Sequence, residues 1–209
     1  MAFEGFSAKD FEVFRIPDFA GRMAKIRAQI QPKLLALGKA LAPSLAGSVG
    51  GEVFAHVAKH MRRTVNPPED TWVAFGLEKR GYKKAQHLKV AISRHCVRFL
   101  FEAGPEYADK GKWTAAWQRQ AGRLVPALRK VKGLGWYKNE HDEEPRADLH
   151  EMAPQALKVL AQELTRRRDG QLVLGRRLAA AEVTRMGPAD FERAAVIAFK
   201  DLLPLYRLC

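Results

Sequence analysis

Two adjacent stretches in the middle of the chain carry apolar residues at every second position. Leu88, Val90 and Ile92 mark the first stretch, and residues 97–101 continue the pattern after a short polar break. A period of two residues is typical of a β-strand that buries one face. Two such runs so close together predict an antiparallel hairpin at about 87–102.

Segments with helical spacing of apolar residues flank this hairpin, and most have a capping pattern, proline or glycine at one end. Helices are predicted over 7–14, 17–32, 34–47, 105–132, 148–168 and 188–204. Further strands are predicted over 53–60, 71–76, 136–138 and 172–178. The alanines of 53–60 leave a helix open there.

This order of elements predicts an α+β fold. We expect a central antiparallel sheet packed by N-terminal, middle and C-terminal helices, with a mixed sheet left open and a purely parallel sheet disfavoured. A length of 209 residues is enough for a sizeable core, and it predicts a single α+β domain over 1–209.

The chain has a formal net charge of +13, and an excess of this kind attracts nucleic acid, phosphorylated ligands or acidic surfaces. The start of the chain lacks the pattern of an export signal, and no apolar run approaches the roughly 20 residues of a bilayer crossing. Its two cysteines, Cys96 and Cys209, are a usage typical of a reducing compartment. We therefore expect a cytoplasmic protein with no membrane span, no disulfide and no structural zinc.

Positive charge is concentrated between residues 56 and 98, which carry ten Lys and Arg residues against three acidic ones. The candidate ligand-binding residues in this stretch are His60, Arg62, Arg63, Asn66, Trp72, Arg80, Tyr82, Lys83 and His87. The arginines and lysines supply charge-assisted donors, the asparagine a neutral donor, and the tryptophan and tyrosine flat faces for stacking. Together they could hold a phosphate-bearing molecule or a single-stranded nucleotide.

A simpler interpretation of the same residues stays open. The arginines could lie on a solvated strand end, Trp72 could belong to the core, and Tyr82 could cover a sheet edge. The acidic loop 141–144, together with His150, could bind a divalent cation, but we expect it to be a solvated loop opposite the basic surface.

The run of residues 56–76 and its continuation 80–84 closely resemble the signature of the YktB-like family of uncharacterised bacterial proteins. The resemblance spans nearly the whole chain, including Gly5-Phe6-Ser7 near the start and residues 203–206 near the end. It implies an α+β fold and a domain of unknown function. It implies no catalytic residues, since none is established for the family.

Several classes of site have no recognisable pattern in the sequence. There is no glycine-rich phosphate loop, dinucleotide fingerprint or serine elbow, so a nucleotide-hydrolysing enzyme is disfavoured and no cofactor is expected. His56 and His60 have the spacing of a metal pair, but no third ligand follows, and we expect no metal.

Three hypotheses remain. The first is a non-catalytic protein that binds a phosphorylated or nucleic-acid ligand in a basic, aromatic cleft around residues 56–87, with Arg62→Ala and Arg63→Ala expected to weaken binding. The second is a small-molecule enzyme that uses His60 or His87 together with Tyr82 in the same cleft. The third is a structural protein in which the charge serves only solubility. Each leaves the oligomeric state open.

Overall fold

Seven strands form one sheet in the computed structural model, which describes residues 2–61 and 64–208. The strands are β1 (Phe54–Val57), β2 (Asp70–Gly76), β3 (His87–Ser93), β4 (Cys96–Ala103), β5 (Leu134–Tyr137), β6 (Ala147–Asp148) and β7 (Leu172–Ala179). Their order is β1-β2-β3-β4-β7-β5-β6, and each of these neighbouring pairs is antiparallel. The predicted α+β class and its antiparallel sheet are confirmed, and the hairpin at 87–102 corresponds to β3 and β4.

Seven α-helices accompany the sheet in the described part of the chain. They are α1 (Ala8–Glu12), α2 (Phe19–Lys25), α3 (Gln31–Val49), α4 (Lys110–Arg129), α5 (Pro154–Val159), α6 (Ala180–Val183) and α7 (Pro188–Tyr206). Short 3₁₀ turns lie at Val13–Arg15, Tyr82–Lys84 and Leu160–Leu164. Within residues 2–61 and 64–208, no helix is both long and apolar enough to cross a bilayer.

The N-terminal helices follow the predicted spacing but not the predicted break. Leu34, Leu37 and Leu41 share one buried face of α3, as their spacing indicates. Pro32 does not interrupt the helix, because a π-helical turn at Ile26–Ile30 joins α2 to α3 just before it. Such a wider turn is one way in which a helix accommodates the N–H that proline lacks.

Three predicted helix boundaries differ from the observed ones. The helix expected from 105 begins at Lys110, because residues 104–107 form a turn in which the Tyr107 N–H donates to the Gly104 carbonyl at 3.1 Å. The capping pattern at Asp148 does not start a helix, since Asp148 ends a strand; the helix begins at Pro154, within the range of starts that this proline had left open, and gives way to a 3₁₀ turn after Val159. The last helix continues through its proline to Tyr206.

The two faces of the sheet have different partners. Val73, Val90 and Phe99 lie in register on one face, and the helices pack against it to form the main core. Trp72 and Ala91 lie in register with Arg98 on the other face. That second face is covered by loops instead of helices, and the charged groups of the candidate site lie there.

Candidate functional site

The loop-covered face of the sheet carries ionisable side chains that are nearly inaccessible to solvent. These are Asp70, His87, Lys89, Arg98 and Glu102, each at most 1% exposed. Burying a charge costs several kcal/mol unless an opposite charge and hydrogen bonds compensate for it. Each member of this set therefore has to be matched by a partner.

Lys89 lies between two carboxylates. Its Nζ is 2.6 Å from Oε2 of Glu102 and also bonds Glu140. Burial alone would lower the pKa of Lys89, but the two carboxylates outweigh it and raise that pKa. Burial would likewise raise the pKa of Glu102, but the charges of Lys89 and His87 hold it well below its usual value. Lys89 and Glu102 are both charged at neutral pH.

A second ion pair anchors the loop that covers this face. Arg98 donates to Oδ2 of Asp70 at 2.7 Å and to the backbone carbonyls of Glu140 and Asp142 at 2.8 and 2.6 Å. His141 Nδ1 is 2.9 Å from Oδ1 of Asp70. Residues 138–146, which connect β5 to β6 and are called the covering loop below, are thus bound to the sheet through buried charges.

Asp70 is a carboxylate at all but very acidic pH. Burial by itself would raise its pKa, but the hydrogen bond and charge of His141 and the charge of Arg98 outweigh burial and lower the pKa of Asp70 to about 2. The same contact raises the pKa of His141, because its hydrogen bond to Asp70 outweighs the opposing effect of burial.

The expectation that the acidic loop 141–144 lies opposite the basic surface is wrong, whereas its expected solvation holds for Asp142 and Glu144, which are exposed. This loop is part of the covering loop and lies directly over the basic face, with Glu140 only 9% exposed. The physical reason is charge compensation, since buried Lys89 and Arg98 need acceptors that the sheet does not provide in sufficient number.

A cavity of about 820 Å³ opens between the covering loop, the region of β1 and the segment 79–83. Its described lining consists of Leu35, Ala55, His56, Val57, Ala58, Lys59, His60, Met61, Trp72, Lys79, Arg80, Gly81, Tyr82, Lys83, Glu140 and His141. We call this cavity the aromatic pocket, because five of these side chains carry flat rings.

The rings of the aromatic pocket contact one another. Trp72 donates from Nε1 to the Tyr82 hydroxyl at 2.9 Å, which fixes both rings. The Tyr82 ring stacks on His56, with centroids 4.8 Å apart, and His60 packs edge-on against Trp72 at 5.3 Å. His141 lies 5.9 Å from Trp72 by the same measure.

Cations lie close to these rings. Lys89 Nζ is 4.8 Å from the centroid of Trp72 and Lys83 Nζ is 5.4 Å from it, both within the range of a cation–π contact. Lys83 also lies 3.6 Å from Glu140. Among the described residues, no carboxylate lies within ion-pair distance of Lys59, Lys79 or Arg80, so the mouth of the pocket carries uncompensated positive charge.

Five of the nine predicted ligand-binding residues line the aromatic pocket: His60, Trp72, Arg80, Tyr82 and Lys83. His87 does not line it, because its buried ring packs edge-on behind Tyr82 and its Nε2 is 3.4 Å from Glu102. Asn66 is exposed and also outside the lining. Arg62 and Arg63 lie outside the described residues, and their role stays a prediction.

Sequence reasoning missed Lys89, Arg98, Asp70, Glu140 and His141 as members of this region. A signal for two of them was present, since Lys89 and Arg98 are long cationic residues on the polar side of the predicted hairpin. No local pattern indicated their partners, because Glu140 is 51 residues from Lys89 along the chain.

The arrangement suits recognition of an anion that carries a flat group. The half-buried rings of His56, Tyr82 and His141 can contact a flat group, whereas Trp72 is only 7% exposed and belongs to a small buried cluster of its own, as the simpler interpretation expected. The lysines and Arg80 provide donors, while the carboxylates are engaged with cations. Over residues 2–61 and 64–208, no group of three or more His, Cys, Asp or Glu side chains is placed to hold a metal ion.

Comparison with known proteins places the chain in a family. A family model described as "Domain of unknown function (DUF1054)" matches residues 6–206. A UPF0637 protein of Macrococcus caseolyticus (strain JCSC5402) is 32% identical over 201 residues, covering 96% of this chain and 97% of that protein. A UPF0637 protein of Listeria monocytogenes serotype 4a (strain HCC23) is 32% identical over 208 residues, covering 99% of this chain and 98% of that protein.

A UPF0637 protein of Bacillus thuringiensis (strain Al Hakam) is also 32% identical, over 210 residues that cover 100% of this chain and 99% of that protein. Similarity over entire chains agrees with the resemblance noted in residues 56–84, which is confirmed as membership of an uncharacterised bacterial family. The chain belongs to the DUF1054 family of proteins of unknown function.

Proposed function

We propose that this protein binds a small phosphate-bearing molecule with a flat ring in the aromatic pocket, without catalysing a reaction on it. A mononucleotide is the simplest member of this class. The observation that carries the proposal is the arrangement of five rings and several cations around one cavity.

The size of the cavity supports a small ligand. Pockets for small molecules commonly measure about 300–1,000 Å³ and combine apolar walls with a few well-placed polar groups. At about 820 Å³, with Leu35 and Val57 as well as Arg80 and Lys83 in its lining, the aromatic pocket fits that description.

The distribution of charge supports an anionic ligand. Lys59, Lys79 and Arg80 at the mouth have no carboxylate partner among the described residues, so they attract an anion without first breaking an ion pair. Lys83 is already half-buried beside Trp72. A phosphate bound there would replace its long 3.6 Å contact with Glu140 by a direct charge-assisted hydrogen bond.

Nucleic acid is the other ligand that the sequence suggested. One nucleotide of a single strand could occupy the same rings, and the rest of the strand would then need further phosphate contacts. Binding of a polymer would therefore weaken steeply with salt, with roughly one unit of slope for each phosphate neutralised, whereas a mononucleotide would show a shallow dependence.

Two neighbouring lysines allow a matched test. Lys83 lines the aromatic pocket, whereas Lys84 is exposed and is not part of the lining. We expect Lys83→Gln to weaken binding of adenosine 5′-monophosphate about tenfold or more, because a hydrogen bond to a charged group contributes roughly 1.5–3 kcal/mol. Lys84→Gln should bind like the unchanged protein.

Isothermal titration calorimetry measures both affinities. Equal weakening in the two variants would indicate diffuse electrostatic attraction and contradict a specific pocket. Failure of the unchanged protein to bind adenosine 5′-monophosphate, pyridoxal 5′-phosphate and a short single-stranded oligonucleotide would contradict the proposal as a whole.

The proposal also includes the remaining expectations from the sequence: one domain over 1–209 and a cytoplasmic location, the latter supported by the free, buried thiol of Cys96. The enzyme hypothesis stays a prediction. Of its two candidate histidines, His87 is enclosed by Tyr82 and Glu102, whereas His60 lines the pocket.

A further inference from the structure

We infer that His141 is the proton-dependent anion contact of the aromatic pocket, so that ligand binding is coupled to uptake of a proton. This inference rests on the proposed function and adds to it a specific residue and a regulated affinity. Neither His141 nor Asp70 was among the residues that the sequence indicated.

The contact between His141 and Asp70 fixes the tautomer of the imidazole. Asp70 is a buried carboxylate with only acceptor atoms, so His141 Nδ1, 2.9 Å away, must carry a hydrogen and donate it. In the neutral imidazole, Nε2 is then left as an acceptor. An anionic oxygen facing that lone pair would be repelled, whereas protonated His141 presents an N–H donor and a positive charge.

His141 is placed to meet a ligand. Its side chain is 34% exposed and lines the aromatic pocket, and its ring centroid is 5.9 Å from that of Trp72. If the flat ring of a ligand lies among the rings of the aromatic pocket, the anionic group of that ligand comes within reach of the cations and of His141.

The covering loop does not depend on His141 alone for its position. Arg98 already donates to two backbone carbonyls of that loop, at Glu140 and Asp142. A purely structural role for His141 would duplicate this anchor, but would not explain why its ring faces the cavity.

The charges around His141 favour its protonated form. It faces Asp70, Glu140 and Lys89, and its Nε2 is 3.8 Å from Oε1 of Glu140. Glu140 itself is bonded by Lys89 and approached by Lys83, so much of its charge is neutralised. The hydrogen bond to Asp70 is the largest influence and raises the pKa of His141 above 6.5.

Anion binding should weaken as the pH rises. Below the raised pKa, His141 is charged and contributes to anion binding in full. As the pH rises through that pKa, Nε2 loses its hydrogen and the contribution disappears. Bound anion should raise the pKa further, so binding takes up part of a proton at pH values between the pKa of the free protein and that of the complex, about half a proton for a tenfold effect.

The test needs a ligand whose own charge is constant, because phosphate monoesters titrate near pH 6. We therefore choose 2-naphthyl sulfate, which combines a flat ring with a fixed negative charge. Between pH 5.5 and 8.5 the affinity of the unchanged protein should fall about tenfold or more, the effect of losing one charged donor. Calorimetry in buffers of different ionisation enthalpy should register proton uptake above the midpoint.

Substitutions assign the effect to one histidine. His141→Gln should bind weakly and with little pH dependence. His60→Gln removes a ring from the pocket and should lower the affinity at every pH while the shape of the pH profile stays the same. His150→Gln, at an exposed histidine outside the pocket lining, should leave both the affinity and the profile unchanged. Asp70→Asn should move the midpoint to lower pH, because the histidine loses its carboxylate; if that variant does not fold, the three histidine variants decide the question.

The outcomes separate this inference from the proposed function. If 2-naphthyl sulfate binds but its affinity does not change with pH, or if His141→Gln keeps the profile and His60→Gln loses it, the inference is overturned and the pocket remains. If the unchanged protein binds no flat-ring anion at any pH, both are overturned.

Discussion

Asp70 accepts two hydrogen bonds, one from Arg98 within the sheet and one from His141 in the covering loop. Its pKa of about 2, against 3.8 for a free aspartate, means that the folded protein binds this proton much less readily than the unfolded chain. The contribution of this pKa difference to the free energy of unfolding is therefore fully present above about pH 4 and is lost as the pH falls toward 2.

Replacing Asp70 by asparagine should make this dependence visible. At pH 7, Asp70→Asn should lower the free energy of unfolding by about 3 kcal/mol, because it leaves Arg98 buried without its anion. The difference in the free energy of unfolding between the two proteins should become about 2 kcal/mol smaller as the pH falls from 4 to 2. Urea denaturation across this range measures it, with exposed Asp169→Asn as the control. A gap that stays constant with pH would contradict the assignment.

Lys89 illustrates what could not be read from single residues. The alternation of β3 correctly predicts a strand and correctly places Lys89 away from the helices. Whether that side faces water depends on a loop 51 residues later in the chain, and only the folded molecule reveals it. Trp72 and Tyr82, which the sequence singled out for their flat rings, both line the cavity, but their role in binding stays a prediction.

The covering loop is the element on which the pocket depends most. Residues 138–146 form no helix or strand. Arg98, on the sheet beneath the loop, donates to two of its backbone carbonyls. A planar guanidinium can serve Asp70 and both carbonyls together, whereas a lysine ammonium cannot reach all three acceptors in that geometry.

Arg98→Lys should therefore loosen this loop while keeping the charge. We expect backbone amides of 138–146 to exchange with solvent about tenfold faster, since the loop would lose roughly 1–2 kcal/mol of anchoring. Amides of α3 should be unaffected because they lie on the other side of the sheet. Hydrogen exchange followed by mass spectrometry compares the two regions, with Arg166→Lys on the exposed surface as a control. Uniform acceleration in both regions would point to general destabilisation instead.

Helices and strands with a clear periodic spacing of apolar residues were predicted well, whereas the connections between them were predicted poorly. The helical spacing of Leu34, Leu37 and Leu41 reflects burial against the sheet and was visible in advance. The two-residue strand β6 was not, because it exists only through pairing with Gly135 and Trp136. Elements that depend on a distant partner leave little trace in local sequence.

The whole molecule combines a strong positive charge with a sheet that has one helical and one loop-covered face. The charge of +13 indicated anionic partners in general terms but could not locate a site. The fold indicates a candidate, because β2, the segment 79–83 and the covering loop bring rings and cations around one cavity. The family gives no further direction, since its members share a domain of unknown function.

A crystal structure of the protein grown with adenosine 5′-monophosphate would show whether the aromatic pocket is the binding site. We expect electron density in the aromatic pocket, with the base among its rings and the phosphate bonded by Lys83 and His141. Density for the nucleotide at another surface, or only solvent in this cavity at saturating ligand, would contradict it.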